Sequence, residues 1–174
     1  MKRKIKIFIC GVGNLGKYIK EYAENKGFIT VGLYDKKINK IISENEELKK
    51  YIAVENLEEL EKALERTKPD VCIVTTSYLL KLDKEVYDLC VSLGINVLTT
   101  CEEAFFPFSS DYKYAKELDE NAKRKNCTIM GTGFQDIYWG QLVSTLASSL
   151  NKIILIKGKS YYDIDNCNKE INLN

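Results

Sequence analysis

Gly11-Val12-Gly13-Asn14-Leu15-Gly16 follows the apolar run Ile5-Lys6-Ile7-Phe8-Ile9-Cys10 and precedes a helical pattern. A strand, then G-x-G-x-x-G, then a helix is what a dinucleotide-binding βαβ unit needs. Gly11 permits the tight turn off the strand. Gly13, without a side chain, lets a pyrophosphate approach the backbone. Gly16 lets the helix pack close to the strand. The free N–H groups at the helix start, around Asn14 and Leu15, then face the phosphates, and the helix dipole favours their charge.

The flanking sequence strengthens this. Leu15, Tyr18, Ile19, Tyr22 and Ala23 form one apolar helix face at i, i+3, i+4 spacing. Gly27 stands where that helix should end. A second strand, Phe28-Ile29-Thr30-Val31-Gly32-Leu33-Tyr34, runs to Asp35, which lies 19 positions beyond Gly16. That is the place of an acid that accepts ribose hydroxyls and repels a 2′-phosphate. Lys36 and Lys37 follow at once and can pair with a phosphate. The cofactor is therefore NAD or NADP, with NAD bound at least as well. The competing reading is a glycine-rich turn in some other α/β domain. It leaves the spacing of strand, helix and acid unexplained.

Composition narrows the class. Of 174 residues, 45% are hydrophobic and 29% charged, which fits a water-soluble globular domain. A formal net charge of +1, without base-reading or stacking motifs, gives no reason to expect nucleic acid. No apolar run approaches the roughly 20 residues of a membrane span. Met1-Lys2-Arg3-Lys4 and the short apolar stretch after it read as the start of a first strand rather than a signal peptide. There is no histidine, and none of the six cysteines stands in a C-x-x-C pair. No metal site is expected. Cys10, Cys72 and Cys90 lie in apolar patterns as buried thiols, and a reducing cytoplasm is the simplest setting.

Strands and helices alternate from the N-terminus, the pattern of a doubly wound, mostly parallel α/β sheet of Rossmann type. Residues 36–50 are polar and suggest a loop and a weak helix, with a short strand at Ile52-Ala53-Val54. Asn56 opens the next helix, with Glu59 as its capping-box partner. Leu57, Leu60 and Leu64 line it. Val71-Cys72-Ile73-Val74-Thr75-Thr76 is a strand of the kind parallel sheets bury. Val86, Leu89, Cys90 and Leu93 mark a helix face closed by Gly94, and Ile95-Asn96-Val97-Leu98-Thr99-Thr100 is the fifth strand. Tyr114, Ala115, Leu118 and Ala122 mark another helix, and Thr128-Ile129-Met130 a short strand. Leu142, Val143, Leu146, Ala147 and Leu150 indicate a strongly amphipathic helix. Ile153-Ile154-Leu155-Ile156 begins one more strand, and residues 169–174 trail off polar. This gives a dinucleotide-binding domain over 1–133. Residues 134–174 are expected to be the connecting helix and first strand of a truncated α+β domain for substrate or dimerisation.

Ligands of a doubly wound sheet bind outside the carboxyl ends of its strands. Four segments converge there: the glycine loop; Thr75, Thr76 and Ser77; residues 99–108; and Gly131-Thr132-Gly133-Phe134-Gln135-Asp136. Thr75, Thr76 and Ser77 can offer hydroxyls and backbone groups to the cofactor, or can simply end a strand. Thr100 and Gly133 stand in the same row. Gly131 and Gly133 permit close backbone approach, or merely turn the chain from strand to helix. Glu102 and Glu103 follow the fifth strand and precede Ala104-Phe105-Phe106-Pro107-Phe108. A carboxylate desolvated among aromatics favours its acid form and suits acid–base chemistry. The alternative is a solvated acid at a helix start. Cys101 has no histidine to activate it and reads as a packing thiol. Tyr138 and Trp139 line a substrate pocket or wedge two domains together.

These residues carry a resemblance. Gly11 to Gly16 with Asp35, the run Thr99-Thr100-Cys101-Glu102-Glu103-Ala104-Phe105-Phe106-Pro107, and Gly131-Thr132-Gly133-Phe134-Gln135-Asp136 resemble the nicotinamide-dependent amine dehydrogenases related to 2,4-diaminopentanoate dehydrogenase. That group is similar in fold to dihydrodipicolinate reductase. The resemblance implies reversible oxidative deamination of a small primary amine and a homo-oligomeric enzyme. It places the glutamate that binds and activates the amine at Glu102 or Glu103. The paired-histidine motif of dihydrodipicolinate reductases has no counterpart in a chain without histidine. That reductase reaction and a non-catalytic nucleotide-binding module are the alternatives. The resembled enzymes are about twice as long.

Overall fold

The computed structural model describes residues 3–159 and 161, and within it the side chains of residues 134–136 are not described. Cys167 and the polar stretch 169–174 lie outside the described residues. The chain divides into two units, Met1–Tyr138 and Trp139–Asn174.

The first unit is built on a six-stranded sheet. Its strands are β1 Lys6–Cys10, β2 Ile29–Tyr34, β3 Ala53–Val54, β4 Val71–Val74, β5 Asn96–Thr99 and β6 Ile129–Gly131. All pairings are parallel, and the order is β3-β2-β1-β4-β5-β6. This is the doubly wound arrangement, in which strand order reverses between β1 and β4. The helices between strands are α1 Asn14–Asn25, α2 Ile38–Glu44, α3 Leu57–Thr67, α4 Lys84–Ser92, α5 Pro107–Ser110 and α6 Tyr112–Lys125. A last helix, α7, spans Phe134–Ala147.

Side chains alternate across a strand, so β1 feeds two cores. Phe8 and Cys10 pack with Leu60 and Leu64 of α3, Tyr87 and Cys90 of α4, and Leu118 of α6. Ile7 and Ile9 pack with Ala23 of α1, Ile38 of α2 and Leu48. Polar residues 36–50 form α2 and a 3-10 helix over Glu46–Lys50, each short, as their composition suggested. Asn56 caps α3 by accepting the Glu59 N–H at 2.9 Å. Glu59 returns its carboxylate to the Glu55 N–H at 3.5 Å rather than to Asn56, so the capping box closes one residue early. The buried face of α4 is Val86, Tyr87, Cys90 and Val91. Leu89 and Leu93 are only partly buried, so that helix is rotated from the expected face. Lys20 fixes α1 from the side: it is 6% exposed, pairs with Glu24 at 3.1 Å and lies 4.6 Å from the Tyr51 ring centre.

The second unit differs from expectation. Among its described residues, Ile153-Ile154-Leu155-Ile156 forms no strand, and Ile154 is 90% exposed. A strand needs a neighbour to take its N–H and C=O groups, and no second strand is present among the described residues of this unit. The strong amphipathicity expected of α7 is absent: its apolar residues are spread around the helix, Val143 and Leu146 are exposed, and Leu150 lies beyond the helix end.

Candidate functional site

The glycine loop sits at the point where strand order reverses. The Gly11 N–H donates to the Tyr34 carbonyl at 2.8 Å, and Gly11 has φ +93°, which favours glycine. Thr75, at the end of β4, donates its hydroxyl to the Gly11 carbonyl at 2.8 Å. A Cβ on Gly11 would stand 2.7 Å from that hydroxyl oxygen, and one on Gly16 would stand 1.9 Å from the Gly11 carbonyl oxygen. Gly16 is thus required by the loop's own backbone. Gly13 is different: a Cβ there meets nothing within 4 Å. Gly13 is also the N-cap of α1, gives it no side-chain cap, and the first turn holds no acid. The N–H groups at this helix start, at Asn14 and Leu15, therefore lack helix partners, and the space beside Gly13 is open, as pyrophosphate binding requires. The residues present fit a dinucleotide.

Asp35 stands at the end of β2. Its carboxylate accepts the Val12 N–H at 2.8 Å and the Lys37 N–H at 2.9 Å. These bonds fix it beside the loop as an acceptor, with lone pairs left for ribose hydroxyls. Lys36 and Lys37 are exposed.

Thr75, Thr76, Ser77, Thr100 and Gly133 all lie at carboxyl ends of strands, and each makes a hydrogen bond within the fold. Thr75 bonds Gly11, and Thr76 donates to Asp83 at 2.5 Å. Ser77 accepts the Leu79 N–H at 2.9 Å. Thr100 donates its N–H to the Val74 carbonyl at 3.0 Å, and the Gly133 carbonyl accepts the Ile137 N–H at 3.1 Å. The three hydroxyls hold the crevice wall in shape.

Glu102 and Glu103 begin a 3-10 helix, Glu102–Phe105, after β5. Glu102 is exposed. The desolvation expected among aromatics does not occur, because Phe105, Phe106 and Phe108 are themselves exposed, and Phe108 meets Phe106 edge-on and Tyr112 at a tilt. Glu103 is half-buried and accepts the Leu80 N–H at 2.7 Å. Gly131 does serve a close approach, but the partner is this turn: a Cβ on Gly131 would stand 2.3 Å from the Ala104 carbonyl carbon. Cys101 is 1% exposed and donates to the Tyr78 carbonyl at 3.2 Å. Burial pushes its thiol up, which keeps it a donor and not a nucleophile. Tyr138 and Trp139 are exposed on α7.

Sequence reasoning missed a buried polar cluster beneath these loops. Asp83, 5% exposed, is the N-cap of α4 but turns away from the cap to accept the Thr76 hydroxyl. Its other oxygen is buried without a hydrogen-bond partner. Tyr87 and Thr99 bond at 2.9 Å, and the Thr99 hydroxyl oxygen accepts the Cys101 N–H at 3.1 Å. An acid just before a helix was a signal, but it reads as an exposed cap. Burial raises the Asp83 carboxyl above the ordinary range, opposed by the Thr76 hydroxyl, the Tyr87 phenol and the Lys36 ammonium. The folded state therefore holds the Asp83 proton more tightly than the unfolded state. Its contribution to stability is full below the unfolded value and lost as pH rises through the raised one. Asp83→Asn keeps an acceptor for Thr76 and never ionises. Its stability relative to the parent is expected to improve as pH rises from the ordinary carboxylate range through neutrality in urea unfolding. A constant difference across that range would show that Asp83 does not titrate as its burial dictates.

The sequence profile of the GFO/IDH/MocA oxidoreductase family, NAD-binding Rossmann fold, matches residues 5–133. The chain belongs to this family. Its cofactor is accordingly NAD or NADP. Among solved structures it is similar to an amine dehydrogenase from Mycobacterium smegmatis, at 23% identity and TM-score 0.75, over 87% of this chain and 46% of that one. It is also similar to the WlbA dehydrogenase from Bordetella pertussis, solved with NADH and UDP-GlcNAcA, at 16% identity and TM-score 0.59, over 84% and 42%. A hyperthermophilic archaeal homoserine dehydrogenase solved with NADPH is similar at 19% identity and TM-score 0.54, over 74% and 44%. At these identities the likeness is one of fold. The chain spans less than half the length of each of the three structures. No curated protein matches the sequence significantly. Among the described residues no helix is long and apolar enough to cross a membrane, and no acidic or thiol cluster could hold a metal ion.

Proposed function

We propose that this chain is the cofactor-binding part of an NAD(P)-dependent oxidoreductase that acts on a small primary amine, of the kind related to 2,4-diaminopentanoate dehydrogenase. The observation that carries the reading is Glu102, an exposed carboxylate on the turn after β5, at the same end of the sheet as the glycine loop. The likeness in fold to an amine dehydrogenase supports it. The glycine loop and Asp35 hold the dinucleotide. Bound there, the dinucleotide would supply a nicotinamide as the acceptor or donor of the hydride on the carbon bearing the amine. Glu102 accepts the ammonium proton, leaving the neutral amine that can release hydride. After giving that proton up to solvent, it draws a proton from the water that adds to the substrate iminium and passes it to the carbinolamine nitrogen; the C–N bond then breaks, ammonia departs and the hydroxyl loses its proton to leave the carbonyl. With no histidine in the chain, a carboxylate is the natural base.

The division of the chain near residue 133, assembly into a homo-oligomer and a cytoplasmic setting belong to the same proposal. The exposed run Ile153-Ile154-Leu155-Ile156 supports self-association, which light scattering measures. The free buried thiols Cys10, Cys72 and Cys90 suit a reducing compartment.

Turnover tests the reading. Primary amines with NAD⁺ or NADP⁺ are expected to raise reduced-nicotinamide absorbance, whereas dihydrodipicolinate is not reduced. Cofactor binding with no amine turnover in the full-length enzyme would favour a non-catalytic nucleotide module. Because Asp35 is held as an acceptor and Lys36 and Lys37 are exposed beside it, NAD is expected to bind at least as well as NADP, with weak discrimination. A strong NADP preference in calorimetry would show that Asp35 does not meet the ribose.

A further inference from the structure

We propose that Glu103 is a positioning residue that clamps the Glu102 turn to the loop after β4, so that the two adjacent glutamates divide the labour. The proposal rests on the reading of Glu102 as the acid–base group.

An acid in the first turn of a helix ordinarily serves that helix's own N–H groups. Glu103 instead reaches 23 residues back along the chain and accepts the N–H of Leu80 at 2.7 Å. Leu80 is 2% exposed and opens the 3-10 helix Leu80–Leu82, whose N-cap, Leu79, supplies no side-chain cap. A buried N–H left unpaired is costly, and a charged acceptor makes the stronger kind of bond. Glu103 thus does for the neighbouring loop what a capping residue does locally.

Two further contacts hold the same pair of loops. The Cys101 thiol donates to the Tyr78 carbonyl, so the loops are joined on both sides of the Glu102 position in sequence. The absent side chain of Gly131 lets the Ala104 end of the turn lie against β6. The loop after β4 is in turn closed on itself by the Thr76–Asp83 bond and tied by Thr75 to the Gly11 carbonyl of the glycine loop. A run of short contacts therefore leads from the dinucleotide loop to the backbone that carries Glu102. Catalytic groups misplaced by about 1 Å can lose a hundredfold in rate, so the clamp has a kinetic consequence.

The chemistry separates a clamp from a base. Glutamine keeps an acceptor oxygen for the Leu80 N–H but cannot take a proton. Leucine has similar bulk and no acceptor. In the full chain, Glu103→Leu is expected to speed amide hydrogen exchange at Leu80 by about tenfold or more. Glu103→Gln is expected to leave that exchange near the parent's. NAD affinity, measured by calorimetry, and far-ultraviolet circular dichroism show that both variants fold. In the full-length enzyme, Glu103→Leu lowers kcat at least tenfold with little change in the KM for NAD⁺, and Glu103→Gln restores most of the loss. Unchanged Leu80 exchange in Glu103→Leu would overturn the clamp. Equal loss of kcat in Glu103→Gln and Glu103→Leu, with Leu80 still protected in Glu103→Gln, would move the proton-transfer role to Glu103. Should no amine be turned over, the amine reading falls, while the exchange experiment still decides the clamp.

Discussion

Gly13→Val is expected to abolish NAD binding and leave the fold intact, whereas Gly16→Ala is expected to damage both. The two glycines stand three residues apart in one motif, and the difference is steric. Gly13 has φ −70°, which any residue adopts, and a Cβ there meets nothing within 4 Å. A valine there projects where the pyrophosphate must approach, so it excludes the ligand without touching the protein. At Gly16 even a methyl group would stand 1.9 Å from the Gly11 carbonyl oxygen, an atom already bonded to Thr75. The backbone must shift, and overpacking of this kind costs about 1–3 kcal/mol or more. For a domain of this size that lowers Tm on the order of 10 °C at the upper end. Calorimetry and thermal unfolding of the two variants check both halves. Normal NAD affinity in Gly13→Val would remove the glycine loop from the cofactor site. A normal Tm in Gly16→Ala would contradict the packing at the helix start.

Glu102→Gln, made in the full-length enzyme, is expected to keep cofactor affinity and lose about 10² to 10⁴ in kcat, the usual effect of removing a general base. Glutamine matches glutamate in size and still accepts hydrogen bonds but does not take a proton. Glu102 is exposed and its carboxylate makes no hydrogen bond among the described residues, so stability is expected to stay near the parent's. Glu103 is the informative control, because its carboxylate is engaged with the Leu80 N–H while Glu102 is not. Near-normal turnover in Glu102→Gln would take this residue out of the chemistry and leave only the cofactor site of the proposal standing.

The sheet and the cofactor loop were legible in the sequence because their signals are local. The apolar runs at β1, β4 and β5, the helix faces of α3 and α6, and the glycine spacing each report on a few neighbouring residues. The apolar face expected of α1 is not buried: Leu15, Tyr18 and Tyr22 are exposed, and α1 buries Gly16, Lys20 and Ala23 instead. Asp35 was found by the same means, a fixed distance beyond Gly16. The strand expected at Ile153-Ile154-Leu155-Ile156 shows where such reasoning ends. Its composition suits a strand, but a strand exists only with a partner, and composition names none.

The division of roles within the site was decided by tertiary structure alone. In the sequence Glu102 and Glu103 are adjacent and chemically identical. Only the fold brings Leu80 to Glu103 and leaves Glu102 facing water. Thr75, Thr76 and Ser77 likewise read as hydroxyls offered to a ligand, and only the fold brings them to Gly11, Asp83 and Leu79. Periodicity and spacing describe what the chain does with its near neighbours. A hydrogen bond between residues 23 or 64 positions apart depends on how the strands are ordered, and that order is set by packing of the whole sheet.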